Sequence, residues 1–371
     1  HRIMNNSISF NNINKTPVRT KSWLKVNDVT LKDYEAPEIG DFNNYKVTGN
    51  GFEGVTIEEL KKEKVVPLNK KFLYGASEEL VNQGEFDFNK GFLINIDKGA
   101  KIEDPIILEF NMDKENSTLV DNIIVVAEED SEAKIIIKYN SIDDVSGYHN
   151  GVCKIFSKNS SKIQVVKVNL LNNNTVNVDS NLADINSYGN VDFVSIDLGG
   201  KVSVTNYHGD LIEDSAESNL SSIYLGGDKK VIDMNYVVTH RGIRSKSQIT
   251  TRGALKGEAN KIFRGTIDFK RGASKSKGAE DEYCMILSPK AKAKAMPLLL
   301  CDEDDVSGEH AAASGKIDEN KLFYLMSRGL DYNDARRVII EGAFNPIIDK
   351  VEDEATRNET LVAIKECLDN E

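Results

Sequence analysis

Between residues 91 and 300 short runs rich in Val, Ile and Thr alternate with breaks of Gly, Asn, Asp and Ser. Phe92–Ile96, Ile106–Phe110, Ile123–Ala127, Lys134–Tyr139, Ile163–Leu171, Val191–Leu198, Lys201–Tyr207 and Val231–Thr239 each read as a strand. A turn residue, a small or polar residue, a Lys and a β-branched residue also recur together. The pattern appears at Gly99–Ile102, Glu132–Ile135, Ser160–Ile163, Gly199–Val202, Asp228–Val231 and Glu258–Ile262. Its lysines, at 101, 134, 162, 201, 230 and 261, are spaced by 33, 28, 39, 29 and 31 residues. An imperfect period near 30 in an all-strand region predicts stacked coils, each burying its apolar face on the next. A β-helix satisfies this. A β-sandwich is the alternative, but its turns would recur every ~8–12 residues without a longer period.

The flanks differ in pattern. Residues 4–90 hold the only Trp, Trp23, and acidic and lysine-rich stretches. Thr56–Lys64 (TIEELKKEK) predicts a short helix capped by Thr56, with Glu58 and Glu59 near its N-terminal end. After residue 317 three helices are expected. Asp318 caps the first, with Leu322, Phe323 and Met326 on one face, Arg328 near the end and Gly329 as its left-handed stop. Asp331 caps the second, with Ala335, Val338, Ile339 and Gly342 on one side. Leu361, Ile364 and Leu368 mark the third. The division is 4–90 mixed and helical, 91–317 β-helix core, and 318–371 a C-terminal helical domain. Those helices are expected to cover the open end of the β body or to dock a partner.

Hydrophobic residues make up 40% of the 371, charged residues 29%, and the net charge is −12. This is globular composition, and the charge argues against non-specific nucleic-acid binding, which rests on Lys and Arg. No run approaches the ~20 apolar residues of a membrane helix. His1-Arg2-Ile3 reads as a remnant ahead of a natural start at Met4, and no signal-peptide core follows. Cys153, Cys284, Cys301 and Cys367 form no CxxC pair, which fits a reducing cytoplasm rather than a disulfide framework.

Most motifs fail on spacing. Gly308–Lys316 (GEHAAASGK) resembles a phosphate loop, but six residues separate its glycines and Ile317 follows the Lys. ATP binding by this chain is rejected on that basis. Asp302–Asp305 reads as a solvated acidic turn. Arg241 and Arg252 are expected to anchor turns to nearby carboxylates. His310 stands out through its company, with Glu309 beside it and Cys301 nine residues earlier. Thiolate, imidazole and carboxylate together would suit iron or zinc. On a strand, however, Glu309 and His310 point to opposite faces.

Asn219–Leu330 resembles the SufB/SufD family, the scaffold subunits of the SUF iron–sulfur cluster assembly machine. The matching pieces are Tyr224–Gly227, Val238–Arg241, Thr251–Leu255, Phe263–Ile267, Leu287–Ala291 and Asp304–Val306. The most specific are Glu309–Ile317 and Leu322–Leu330. Arg19–Asn27 also looks like the opening segment of the SufD branch. The resemblance implies a mainly β fold, with a right-handed parallel β-helix core between a small N-terminal helical region and a C-terminal helical domain. It implies a non-catalytic subunit of a cytoplasmic complex with SufB and the ATPase SufC, which binds the ATP. SufB would pair through the β-helix end, or a second copy where SufB is absent. SufC would dock on the C-terminal helices, at Leu322, Phe323, Met326, Arg328, Ala335 and Val338.

The family histidine implicated in building the nascent, transient cluster maps onto His310. Glu309 matches one of the two carboxylates that flank it in SufB, and Ala311 replaces the other. The SufB sulfur-accepting cysteine aligns with Glu282, two residues from Cys284, and Cys301 coincides with a cysteine of some SufB chains. A SufB-like sulfur-accepting scaffold is therefore the nearer alternative. A stand-alone β-helix carbohydrate-active enzyme is the remote one, since it would need an export signal and clustered catalytic carboxylates.

Overall fold

The computed structural model describes residues 7–64 and 74–370, so the expected start at Met4 lies outside it. Two short strands come first, β1 (Tyr45–Thr48) and β2 (Val55–Glu59), then helix α1 (Glu78–Phe86). The strand series continues with β3 (Lys90–Ile96), β4 (Ile106–Met112), β5 (Thr118–Ala127), β6 (Glu132–Ser141), β7 (Tyr148–Ser157), β8 (Lys162–Leu170), β9 (Val176–Ile185) and β10 (Asn190–Asp197). It ends with β11 (Val202–Leu211), β12 (Glu217–Gly226), β13 (Val231–His240), β14 (Lys246–Leu255), β15 (Asn260–Phe269), β16 (Ser276–Ile286), β17 (Lys292–Cys301) and β18 (Val306–Lys316). Helices α2 (Glu319–Ser327), α3 (Tyr332–Ile348) and α4 (Glu354–Asp369) follow.

The strands form a parallel β-solenoid of two nine-stranded sheets. From β4 to β18 the even-numbered strands stack in one sheet, with β1 at its edge. From β3 to β17 the odd-numbered strands stack in the other, with β2 at its edge. Among the pairs of described strands only β1–β4 and β2–β3 are antiparallel. Side chains hydrogen-bonded between adjacent rungs lie 26 residues apart at Asn177–Ser203 and 31 at Arg241–Asp210, which is the period read in the sequence. The lysine motifs occupy two different corners. Those ending at Lys101, Lys134 and Lys162 lead into β4, β6 and β8, and the later three lead into β11, β13 and β15. The long step of 39 residues is the change of corner.

Inward-facing positions alternate along each strand and fill the space between the sheets. Stacked Ile, Val, Leu and Phe dominate it, including Ile135, Val165, Phe193, Leu220 and Ile249. Both outer faces are covered over part of their length. The N-terminal segment and α1 lay Phe10, Ile13 and Leu80 on Val120, Tyr148, Val176 and Val204 of the odd sheet. On the even sheet, α3 and α4 lay Phe344, Ile347, Ile348, Ile364 and Leu368 on Val166, Val194, Ile223 and Met285. This corrects one expectation: α3 and α4 flank the solenoid instead of closing its end. Their long apolar faces match the apolar outer positions of β8, β10 and β12, which would otherwise be exposed.

A second correction concerns Thr56–Lys64. Val55–Glu59 is an edge strand, paired antiparallel with β3 through Thr56↔Asn95, and Lys62–Lys64 forms one 3-10 turn. Capture by the sheet edge outweighs local helix propensity here. The helix of this region lies later, at α1, where Ser77 caps by accepting from Leu80 N–H. The first two C-terminal helices start at the expected N-caps, Asp318 and Asp331, the third is capped by Asp353, and Gly329 is left-handed at φ +101°. Arg241 and Arg252 pair with Asp210 and Asp281.

Candidate functional site at the open end of the solenoid

The two ends of the solenoid differ. At the first, antiparallel β1 and β2 finish the sheets, and buried Phe42 packs edge-on against Phe110. At the other, β17 and β18 are the outermost strands, and no described strand pairs with their free edges. Residues along β18 are exposed or half-buried throughout. A long uncovered edge is a template for pairing with another chain.

The register fixes which way each candidate points. In the parallel pair of β16 with β18, His310 lies beside Glu280 and Glu309 beside Ala279. Ser276, Gly278, Glu280, Glu282 and Cys284 are the buried, inward positions of β16. His310 therefore faces the space between the sheets, and Glu309 faces outward. Gly308 confirms the parity, since a Cβ there would meet Leu299 of the opposite sheet at 2.7 Å. One rung deeper, a Cβ on Gly265 would meet Glu280 Oε2 at 2.4 Å. Gly265 pairs with Pro297, so His310 sits at the level of Pro297. Cys301 also has inward parity but ends β17, four residues beyond Pro297, or ~13 Å along the strand. Its thiol donates to the carbonyl of Glu303. The structure thus does not bring His310, Glu309 and Cys301 together. Among the described residues no three His, Cys, Asp or Glu side chains converge as a metal site.

What lies beneath His310 was not anticipated. Glu282 accepts from Lys261 Nζ at 2.6 Å and from the Tyr224 hydroxyl at 2.8 Å, all three buried. Glu280 is 2% exposed, and neither of its carboxylate oxygens has a hydrogen-bond partner among the described residues. Burial pushes its carboxyl up to about 8. The signal was present in the sequence, because Glu280 lies one solenoid turn before His310. Reading it requires the register as well as the period.

Cys284 is fully buried, and desolvation raises its thiol above the ordinary range against the opposing influence of Lys261. Cys153 is pushed up to about 12, chiefly by burial. A protonated, enclosed thiol is a poor nucleophile. Brief iodoacetamide treatment of the native chain is expected to label Cys301, the one exposed cysteine, and to reach Cys153 and Cys284 only on unfolding. Peptide mass spectrometry reads this, and early labelling of Cys284 would reopen a sulfur-accepting role for it.

The helices on the even sheet leave a second surface. Helix α2 has no buried residue, and Phe323 (75%), Tyr324 (55%) and Met326 (42%) are exposed, as is Val338 of α3. A groove of about 840 Å³ runs between α2, α3 and the outer face at Tyr283 and Met285. Of the six residues expected at a docking surface, Ala335 is excluded because it is fully buried. It faces into the fold at the capped end of α3. Leu322 is half-buried and Arg328 exposed.

Comparison with known proteins identifies the family of this chain. The family model described as SUF system FeS cluster assembly, SufBD core domain, matches residues 110–343. The chain is 24% identical over 279 residues to the iron–sulfur cluster assembly protein SufD of Bacillus subtilis, covering 75% of this chain and 64% of that protein. It is 24% identical over 257 residues to an iron–sulfur cluster assembly SufBD family protein of Staphylococcus epidermidis, covering 69% and 55%. The chain thus spans less than two thirds of the length of these relatives. With the core match extending from β4 into α3, the chain belongs to the SufBD family of the SUF iron–sulfur cluster assembly system and is SufD-like within it.

Proposed function

We propose that this chain is a non-catalytic scaffold subunit of a cytoplasmic SufBCD-type complex that assembles and transfers iron–sulfur clusters. The observation that carries the reading is the asymmetry of the solenoid, closed at one end and open at the other, with His310 on the open rung. SufB pairs with the free edges of β17 and β18, and the transient cluster forms at that junction as cargo. SufC, which binds the ATP, docks on the exposed faces of α2 and α3. In this reading His310 supplies an imidazole, a more exchangeable iron ligand than a thiolate, while SufB supplies sulfur ligands. Motion of SufC on hydrolysis passes through the helices to the even sheet and reshapes the junction.

Co-expression with SufB and SufC of the same organism, followed by light scattering of the purified assembly, tests the reading. A stable complex containing both partners is expected. His310→Ala should leave its mass unchanged and depress the iron and sulfide it accumulates. A chain that ignores both partners, or pairs only with itself when they are present, would remove the scaffold reading. Full cluster yield in His310→Ala would remove the role of the imidazole.

A further inference from the structure

One inward column of the even sheet runs through Ile106, Ile135, Val165, Phe193, Leu220 and Ile249. Each is buried and apolar. The next two rungs of the same column are Glu280 and His310. Two polar side chains thus replace an aliphatic or aromatic residue only where the column reaches the open end. The column two residues further along is different. It runs through Lys167, Ser195, Ser222 and Thr251 to Glu282, and Glu282 has both Lys261 and Tyr224 as partners. Glu280 has neither a cation nor a donor within hydrogen-bond reach among the described residues. Its walls are Ile249 on the inner rung, and Gly265 and Phe263 across the lumen. A buried carboxylate in such walls costs stability unless something pairs with it. The one polar neighbour on its rung ladder is His310, on the side open to a ligand.

We propose that Glu280 and His310 form a two-donor site for a divalent transition-metal ion at the mouth of the lumen. Side chains of adjacent parallel rungs stand ~4.8 Å apart at the backbone, a spacing that lets a carboxylate oxygen and an imidazole nitrogen meet one ion. Carboxylate and imidazole together favour an ion of the iron(II), manganese(II) or cobalt(II) class over a thiophilic one. The site is on the lumen face, so Glu309 does not belong to it. Two donors make a half-site, and a chain docked on β17 and β18 completes the coordination. Naming the ion as iron rests on the assembly reading above; the two-donor site does not.

The test uses the purified full chain and cobalt(II) alone, titrated without oxygen by calorimetry and visible absorption. About one equivalent should bind, with weak ligand-field bands and no intense thiolate charge-transfer band. Glu280→Gln and His310→Gln should each weaken binding by about tenfold or more, with the circular dichroism of the wild type retained. The proposal is overturned if the wild type binds no cobalt or if Glu280→Gln binds as well as the wild type. It is equally overturned if loss follows Glu309→Gln or Cys301→Ser instead. Failure of the chain to recruit SufB or SufC leaves this titration unaffected, so the two readings fall separately.

Discussion

Arg264→Ala is expected to destabilise the chain by about 3–5 kcal/mol, the cost of leaving one member of a buried ion pair without its partner. Arg264 and Asp233 are both fully buried on the outer face of the odd sheet. The guanidinium holds the carboxylate through both oxygens, at 2.6 and 2.7 Å, and its Nε donates to the carbonyl of Val26. The same carboxylate accepts from the amide of Asn14, whose oxygen accepts from Asn206. Asn235 donates to the carbonyl of Lys15. The pair is thus the centre of a clamp that fixes the N-terminal segment across three rungs. Truncation leaves the buried Asp233 carboxyl without its cation and the Val26 carbonyl without its donor. In a solenoid the loss stays near the affected rungs. Hydrogen exchange should therefore show fast exchange of the Ile13 and Thr16 amides, which bond to Val29 and Asn27, before β5 and β7 open. A loss below about 1 kcal/mol, or uniform exchange along the chain, would mean that the clamp is dispensable.

The solenoid was legible because stacked coils must repeat, and the repeat was anchored at corners where Lys follows a turn. Strands rich in Val and Ile, such as β6 and β8, stood out. Strands such as β9 (VNVDSNLADI) did not, because Asn177, Asp179 and Asn181 point inward and bond there to Ser203, Lys167 and the Asn206 carbonyl. The polar interior inverts the usual sense of the alternation, with Val176 and Val178 outward, and the polar run from Asp179 to Asn181 shortens the apolar signal of a strand. The N-caps Asp318 and Asp331 were legible because a cap depends on one residue and the four amides after it. The face each helix covers was not, since that depends on outer positions of β8, β10 and β12 far away in sequence.

The candidate site divides the same way. His310 stood out through its neighbours and again through the resemblance, and its separation from Glu309 followed from strand parity. Cys301 was grouped with it by sequence distance, which has no meaning across a corner between sheets. Glu280 was missed because a carboxylate in an acidic stretch (AEDEY) reads as solvated. Only the ladder shows that it stands in an apolar column.

Glu280→Gln is expected to stabilise the metal-free chain at high pH and to change little near pH 4.5. The carboxyl titrates at about 8 in the fold against an ordinary value of 4.5, through desolvation. As pH rises through this window the unfolded chain releases the proton and the folded chain keeps it. Stability therefore falls with rising pH from about 4.5 to about 8 and levels off once the folded carboxyl ionises. Glutamine has a similar shape and carries no such slope. At about 1.4 kcal/mol per unit, the variant should gain about 2–4 kcal/mol at pH 8 over the wild type. Denaturant unfolding of both proteins with a chelator present, at pH 5 and pH 8, gives the difference. The Glu282–Lys261 pair and His310 are present in both proteins, so the comparison isolates the substitution at Glu280. A difference independent of pH would mean that Glu280 is solvated and ionised in the free chain. The predicted slope would mean that the open end carries a stored instability, which a bound cation relieves by stabilising the folded state.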